Sequence, residues 1–227
     1  MNTINYKIHV DKIVERLEHA RIKVSEHHIV KVVAISKYSN TDAIEKLYSI
    51  GQRAFGENRV QDLKEKSITL EALPLEWHFV GSLQKNKINQ LIELDPFLMH
   101  SLDSLELAQA MQSRLNEKDK SMDMLLQINS ADEQTKSGVK ADMAQDIYQE
   151  IAESCPNINL RGVMSIGAHS EDKKIIQNSF EITHKIYSDL KNADICSMGM
   201  SSDFELAIEC GSNMVRLGSI LFPEDKK

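Results

Sequence analysis

Four prolines and nine glycines in 227 residues leave little material for a flexible linker, and no Pro/Gly/Ser-rich or low-complexity stretch divides the chain. The expectation is one domain over residues 1–227, with 1–28 forming an N-terminal helix and 30–222 the body. Cysteine is also scarce. Cys155, Cys196 and Cys210 are widely spaced, form no CxxC pair and are odd in number, which excludes a closed disulfide framework and reads as reduced thiols. The eight histidines show no HxxxH or HExxH spacing, and the adjacent His27 and His28 lie in a polar turn, so no metal site is expected. No apolar run approaches about 18 residues, and no charged segment followed by an apolar one opens the chain. A cytoplasmic protein without a membrane partner is the expectation. With 27 Lys and Arg against 34 Asp and Glu, the net charge of -7 gives no electrostatic footprint for nucleic acid.

What is present is an alternation. Eight short runs have strand character: 31–36, 53–55, 76–80, 97–101, 122–128, 160–166, 194–198 and 213–217. Between them apolar residues recur on one helical face, as with Met143, Ile147 and Ile151, or Ile176 and Phe180. An additional helix precedes the first strand, with Ile13, Leu17, Ala20 and Val24 on one face, and is expected to cover the bottom of a barrel. Strands separated by helices pair in parallel. Two architectures satisfy that pattern, a (β/α)₈ TIM barrel and an open doubly wound sheet. No GxGxxG follows the first strand, and eight units in about 190 residues suit the barrel, so the fold class predicted is α/β, a single (β/α)₈ barrel.

In such a barrel the C-terminal strand ends build the functional face. Lys37 follows the buried-looking run "VVAIS", an unusual place for an ammonium group unless it reaches water or serves chemistry. "GEN" at 56–58, "HFVGS" at 78–82, "MSIG" at 164–167, "SMGMSSD" at 197–203 and "RLGS" at 216–219 bring polar residues and glycines to the same rim. The last two follow the seventh and eighth strands, where barrels commonly bind phosphate through backbone N–H groups, and Ser202 or Asp203 is placed to cap the next helix. A lysine opposite a phosphate cup suits a Schiff base with a sugar phosphate or keto acid, or with pyridoxal 5′-phosphate. Arg216 bears on that choice: a guanidinium facing a pyridine nitrogen does not give up its proton and leaves the ring a weak electron sink.

In order and spacing, "VVAISKY", "FGENRVQD", "EWHFVGSLQKNK", "QINSADEQTKSGV", "LRGVMSIG" and "SMGMSSDFELAIECGSNMVRLGS" resemble the pyridoxal phosphate homeostasis protein family. The resemblance spans residues 30–222 and implies a barrel like the N-terminal domain of alanine racemase. It implies that Lys37 holds pyridoxal 5′-phosphate as an aldimine, that Ser197, Met200, Ser201, Gly218 and Ser219 form the phosphate cup, and that Arg216 meets the pyridine nitrogen. Asn58, His78 and Met164 are implied around the ring, and Lys136 resembles a lysine on a mobile loop. Arg59, where relatives have an aromatic, Ser82, where they have proline or histidine, and the absence of proline in 165–168 depart from the pattern. They bear on access to the cofactor rather than on its binding.

The resemblance implies a non-catalytic carrier that takes part in vitamin B6 homeostasis, handing the cofactor to recipient apoenzymes in transient contacts. The alternative is a weak amino-acid racemase, which needs an acid/base group on each face of the cofactor. After Leu221 only "FPEDKK" remains, so the second domain of two-domain racemases is not expected, and a monomer or weak dimer is.

Overall fold

The computed structural model describes residues 3–133 and 135–222, with the side chains of residues 3–5 outside the description. Nine strands lie in one sheet: β1 (Lys31–Ile35), β2 (Ala54–Glu57), β3 (Glu76–Phe79), β4 (Leu98–Leu102), β5 (Met122–Asn129), β6 (Val139–Lys140), β7 (Ile158–Ser165), β8 (Ile195–Ser197) and β9 (Met214–Leu217). Every pairing is parallel. The order β4-β3-β2-β1-β9-β8-β7-β5 is closed by pairing of β4 with β5, giving an eight-stranded barrel, and two-residue β6 hangs from the end of β5. The predicted barrel is therefore the observed fold. Two differences are local. The two-residue β6 gives too short an apolar run to be recognised, and β7 starts two residues earlier than its apolar run, because the exposed Asn159 separates Ile158 from that run.

Strands of a parallel barrel are covered on both faces, which is why they read as apolar runs rather than alternations. Their outer faces pack beneath α2 (Thr41–Ser49), α3 (Val60–Thr69), α4 (Ile88–Leu94), α5 (Leu105–Glu117), α6 (Ala144–Ser154), α7 (Lys173–Asp189) and α8 (Phe204–Glu209). Three of these helices begin with a side-chain cap: Asn40 accepts from the Ala43 N–H, Ser104 from Leu107 and Asp172 from Lys174. One extended core joins Leu63, Leu91, Met111, Ile151 and the fully buried Phe180 against the sheet.

The N-terminal helix α1 (Thr3–Val24) buries Ile13, Leu17 and Ala20, three of the four residues on its predicted face, while Val24 is exposed. It does not close the bottom of the barrel as expected. Instead it lies along α8 and the C-terminal residues, in a cluster with Phe204, Ile208, Val215 and Leu221. Arg16 explains the choice: its guanidinium forks onto Glu205 at 2.7 and 3.0 Å and lies 4.9 Å over the Phe204 ring. Tyr6 Oη donates to the Leu221 carbonyl at 2.6 Å, and Lys23 pairs with Glu209. The helix thereby braces the segment that follows β9 and carries the rim loop of residues 218–219.

Candidate functional site

Lys37 stands two residues beyond β1, exposed, in a tight turn closed by the Ser39 N–H on the Ser36 carbonyl at 2.8 Å. Its ammonium lies 5.0 Å from the ring centre of Tyr38, which is itself 81% exposed. Beneath it is a brace that the sequence reading missed. The Ser36 hydroxyl donates to Glu57 Oε1 at 2.6 Å, and Lys66 Nζ on α3 donates at 2.7 Å both to Glu57 Oε1 and to the Ser36 carbonyl. Glu57 is fully buried and its Oε2 has no partner among the described residues. A carboxylate in the middle of "GEN" with a lysine nine residues on was the available signal, since a buried acid demands a partner.

On the neighbouring strand, Arg216 sits level with Val33 of β1 and is 5% exposed. Its Nη1 donates to the Ser197 carbonyl at 2.9 Å and to Ser197 Oγ at 2.7 Å, and its Nη2 to the Ser165 carbonyl at 2.8 Å. Three strands thus fix one guanidinium. Burial pushes its pKa down to about 10, with Asp203 and Cys196 opposing the shift, so it remains a cation at neutral pH.

The loops after β8 and β9 meet beside it. The Gly218 N–H donates to Ser201 Oγ at 3.2 Å, and the Arg216 N–H to the Gly199 carbonyl at 3.0 Å. Gly199 has φ +92, and a Cβ there would lie 2.6 Å from Ala207 Cβ and 2.9 Å from Phe204 Cα, so only glycine lets this loop fold onto α8. Asp203 does not cap α8 with its side chain; it turns back to accept the Met200 N–H at 2.6 Å, and burial raises its pKa. Gly81 allows the loop after β3 to pass against Asn58, whose carbonyl would stand 1.9 Å from any Cβ.

The rim therefore gathers Lys37, Asn58, Met200, Ser201, Gly218 and Ser219, all at least partly exposed, around the inner pair Arg216 and Ser197. His78 and Met164 are placed elsewhere. Met164 is 2% exposed in the lumen with Val33, Ala54, Leu98, Leu125 and Met214, and fully buried His78 has Nδ1 2.9 Å from His100 Nε2. Lys136 bonds Glu133 and the Gly167 carbonyl, both at 2.8 Å, tying the loop after β5 to that after β7. Arg59 and Ser82 are exposed.

Residues 8–225 match the family model of the alanine racemase N-terminal domain. A pyridoxal phosphate homeostasis protein of Helicobacter pylori is 52% identical over 221 residues, covering 97% of this chain and 100% of that one. The structure of PipY from Synechococcus elongatus with PLP bound superposes with a TM-score of 0.79 at 30% identity, covering 92% and 99% of the two chains. An alanine racemase of Clostridium difficile shares the fold, with a TM-score of 0.71 at 17% identity over 93% of this chain and 56% of that one. With the rim lysine, the buried arginine and the paired glycine loops on that barrel, the chain belongs to the pyridoxal phosphate homeostasis protein family.

Proposed function

We propose that this protein holds pyridoxal 5′-phosphate at the C-terminal rim of its barrel, covalently through Lys37, and keeps it in reserve without turning over a substrate. One observation carries the reading: an exposed lysine and a buried, fixed arginine end neighbouring strands, with two glycine loops joined beside them. The donor set fits the group. A primary amine faces solvent, a guanidinium that keeps its proton suits a ring nitrogen that accepts, and Met200, Ser201, Gly218 and Ser219 on the two joined loops are open to the rim where a phosphate would approach. When bound, the cofactor supplies a reactive aldehyde and an electron-withdrawing ring.

The remaining roles belong to the chain. Lys37 holds the aldehyde and, being exposed, leaves it open to an incoming amine. Arg216 donates to the ring nitrogen without surrendering a proton, which keeps the ring a weak electron sink and disfavours turnover. Met200, Ser201, Gly218 and Ser219 hold the phosphate, Asn58 borders the ring, and Ser197, His78 and Met164 support the site from within. Residues 30–222 act as one binding unit, in the cytoplasm, as a monomer or weak dimer meeting recipient apoenzymes transiently. Among the described residues no helix is long and apolar enough to cross a membrane.

The test is the absorption spectrum of protein incubated with pyridoxal 5′-phosphate, then borohydride reduction and peptide mass analysis. A pyridoxyl group on Lys37 is expected. A colourless, unlabelled protein refutes the reading, and steady racemisation of an L-amino acid by the loaded protein refutes the absence of turnover.

A further inference from the structure

The lumen below Arg216 holds a chain of polar side chains running to the opposite mouth of the barrel. Ser197 Oγ, which accepts from Arg216 Nη1, lies 3.2 Å from His100 Nδ1; His100 Nε2 lies 2.9 Å from His78 Nδ1; and His78 Nε2 lies 4.0 Å from Glu76 Oε2. Ser197, His78 and His100 are all fully buried. The path crosses from β9 and β8 to β4 and β3, which do not pair with β8 or β9, so it passes through the interior and not along the sheet.

Proton inventory gives the chain a direction. Arg216 only donates. Ser197 Oγ accepts from it, and the one acceptor found for the serine's own proton among the described residues is His100 Nδ1. His100 must then carry its proton on Nε2 and donate to His78 Nδ1, which puts the His78 proton on Nε2. That N–H is buried and without a partner within bonding distance, and the group it faces is a carboxylate, the acceptor that the direction requires. Glu76 is 37% exposed and its Oε2 also bonds Lys31 Nζ, so at 4.0 Å it meets the His78 N–H as a charge rather than through a hydrogen bond. Were the chain reversed, an imidazole lone pair would face that carboxylate and the serine proton would have no acceptor. The two ends independently require the same polarity.

We infer that Arg216, Ser197, His100 and His78 form a one-way hydrogen-bonded relay that ends facing Glu76, through which this carboxylate at the lower mouth acts as remote counter-charge to the arginine of the rim site. Glu76, His78 and His100 are thus positioning residues that polarise Arg216 from the far side of the barrel. The lower mouth is a cavity of about 280 Å³ whose charges are Lys31, Asp123, Arg161 and Asp194. Arg161 forks onto both aspartates, leaving Lys31 as the cation bound to Glu76. At the upper end Asp203 and Cys196 are the groups that act on Arg216. Both histidines are held neutral by burial, as a relay of uncharged imidazoles requires.

The direction is tested without cofactor by long-range ¹H–¹⁵N correlation NMR of the histidine rings. His78 and His100 are both expected as the Nε2–H tautomer, unchanged between pH 5 and 8. An Nδ1–H tautomer at either ring, or titration of either within that range, overturns the relay. The coupling rests on the proposed cofactor site and is read in Glu76→Gln loaded with pyridoxal 5′-phosphate. The pH midpoint of its visible absorption is expected to move by about half a unit, the scale of one charge acting across a barrel lumen. An unmoved midpoint, with the native tautomers retained, overturns the coupling; failure of the unmodified protein to bind the cofactor overturns the site reading and leaves the NMR result to decide the relay.

Discussion

Removing the ammonium of Lys66 is expected to damage stability more than its surface location on α3 suggests. Glu57 is fully buried, and the Lys66 side chain is 13% exposed. In Lys66→Met the carboxylate keeps one hydrogen bond, from the Ser36 hydroxyl, while its second oxygen already lacks a partner. Breaking a buried pair from one side leaves an uncompensated charge, at a cost of about 3–5 kcal/mol. For a chain of this size, at about 2–4 °C per kcal/mol, the melting temperature should fall by on the order of 10 °C. Glu57→Gln should cost less, because the lysine retains the Ser36 carbonyl and can reach water. The double variant should recover about 1–2 kcal/mol relative to Lys66→Met, since no unpaired charge remains. Urea titrations of the four proteins give this cycle directly. A loss below about 1 kcal/mol in Lys66→Met, or additive single effects, would show that the pair does not support Glu57 and that the brace beneath Lys37 is not held this way.

Other outcomes follow from the same geometry. Lys37→Ala should take up no borohydride-stable pyridoxyl group, measured by intact mass, while its melting temperature stays within a few degrees of the parent because the side chain is exposed. Gly199→Ala should cost about 2–4 kcal/mol in urea unfolding, combining a left-handed backbone with a Cβ 2.6 Å from Ala207, and a cost under 1 kcal/mol would show that the loop relaxes freely. Acid should destabilise the fold through the lumen histidines. His78 has its pKa lowered to about 3, and His100 is lowered well below the usual 6.5, so the folded state binds fewer protons. Their stabilisation is complete above about pH 6.5 and is lost as pH falls, for His78 on the way to about 3. With a pKa of about 3, His78 has forfeited about 2 kcal/mol at pH 5, and in His78→Gln the drop in stability between pH 7 and 5 should shrink by about that amount, as read from urea unfolding at the two pH values. Phe180→Ala should cost about 3–5 kcal/mol, measured by urea unfolding, because the ring is fully buried against the sheet.

How much of this was legible depends on whether a feature is local. A strand buried on both faces writes itself as an apolar run, so all eight barrel strands could be placed, and Lys37 stood out because it ends one. The glycine loops were legible because their residue types answer local backbone demands, as at Gly199. The apolar face of α1 was also local and was recognised, whereas its partner, α8, lies some 190 residues away and was set by Arg16 meeting Glu205. The relay was the least legible part. Its three inner members, His78, His100 and Ser197, lie within the mainly apolar runs "WHFV", "MHSL" and "ICSM", each ambiguous by itself. His78 was placed beside the ring by analogy of position, but depth along the lumen is a matter of strand register, which pairs it with Gly56 and Leu98 below the rim.

Those isolated polar residues nonetheless carry a general constraint. A buried imidazole or hydroxyl without a partner costs about 1–3 kcal/mol, so several of them inside one barrel must find one another. Strand order then decides who meets whom: β3 and β4 are neighbours, which joins His78 to His100, and closure of the barrel brings β8 across to them. Arg216 adds the final condition, because a residue that only donates must stand at the head of any such chain. The same residue that suits a cofactor's ring nitrogen therefore also orients every proton beneath it, and the barrel interior becomes part of the site rather than packing under it.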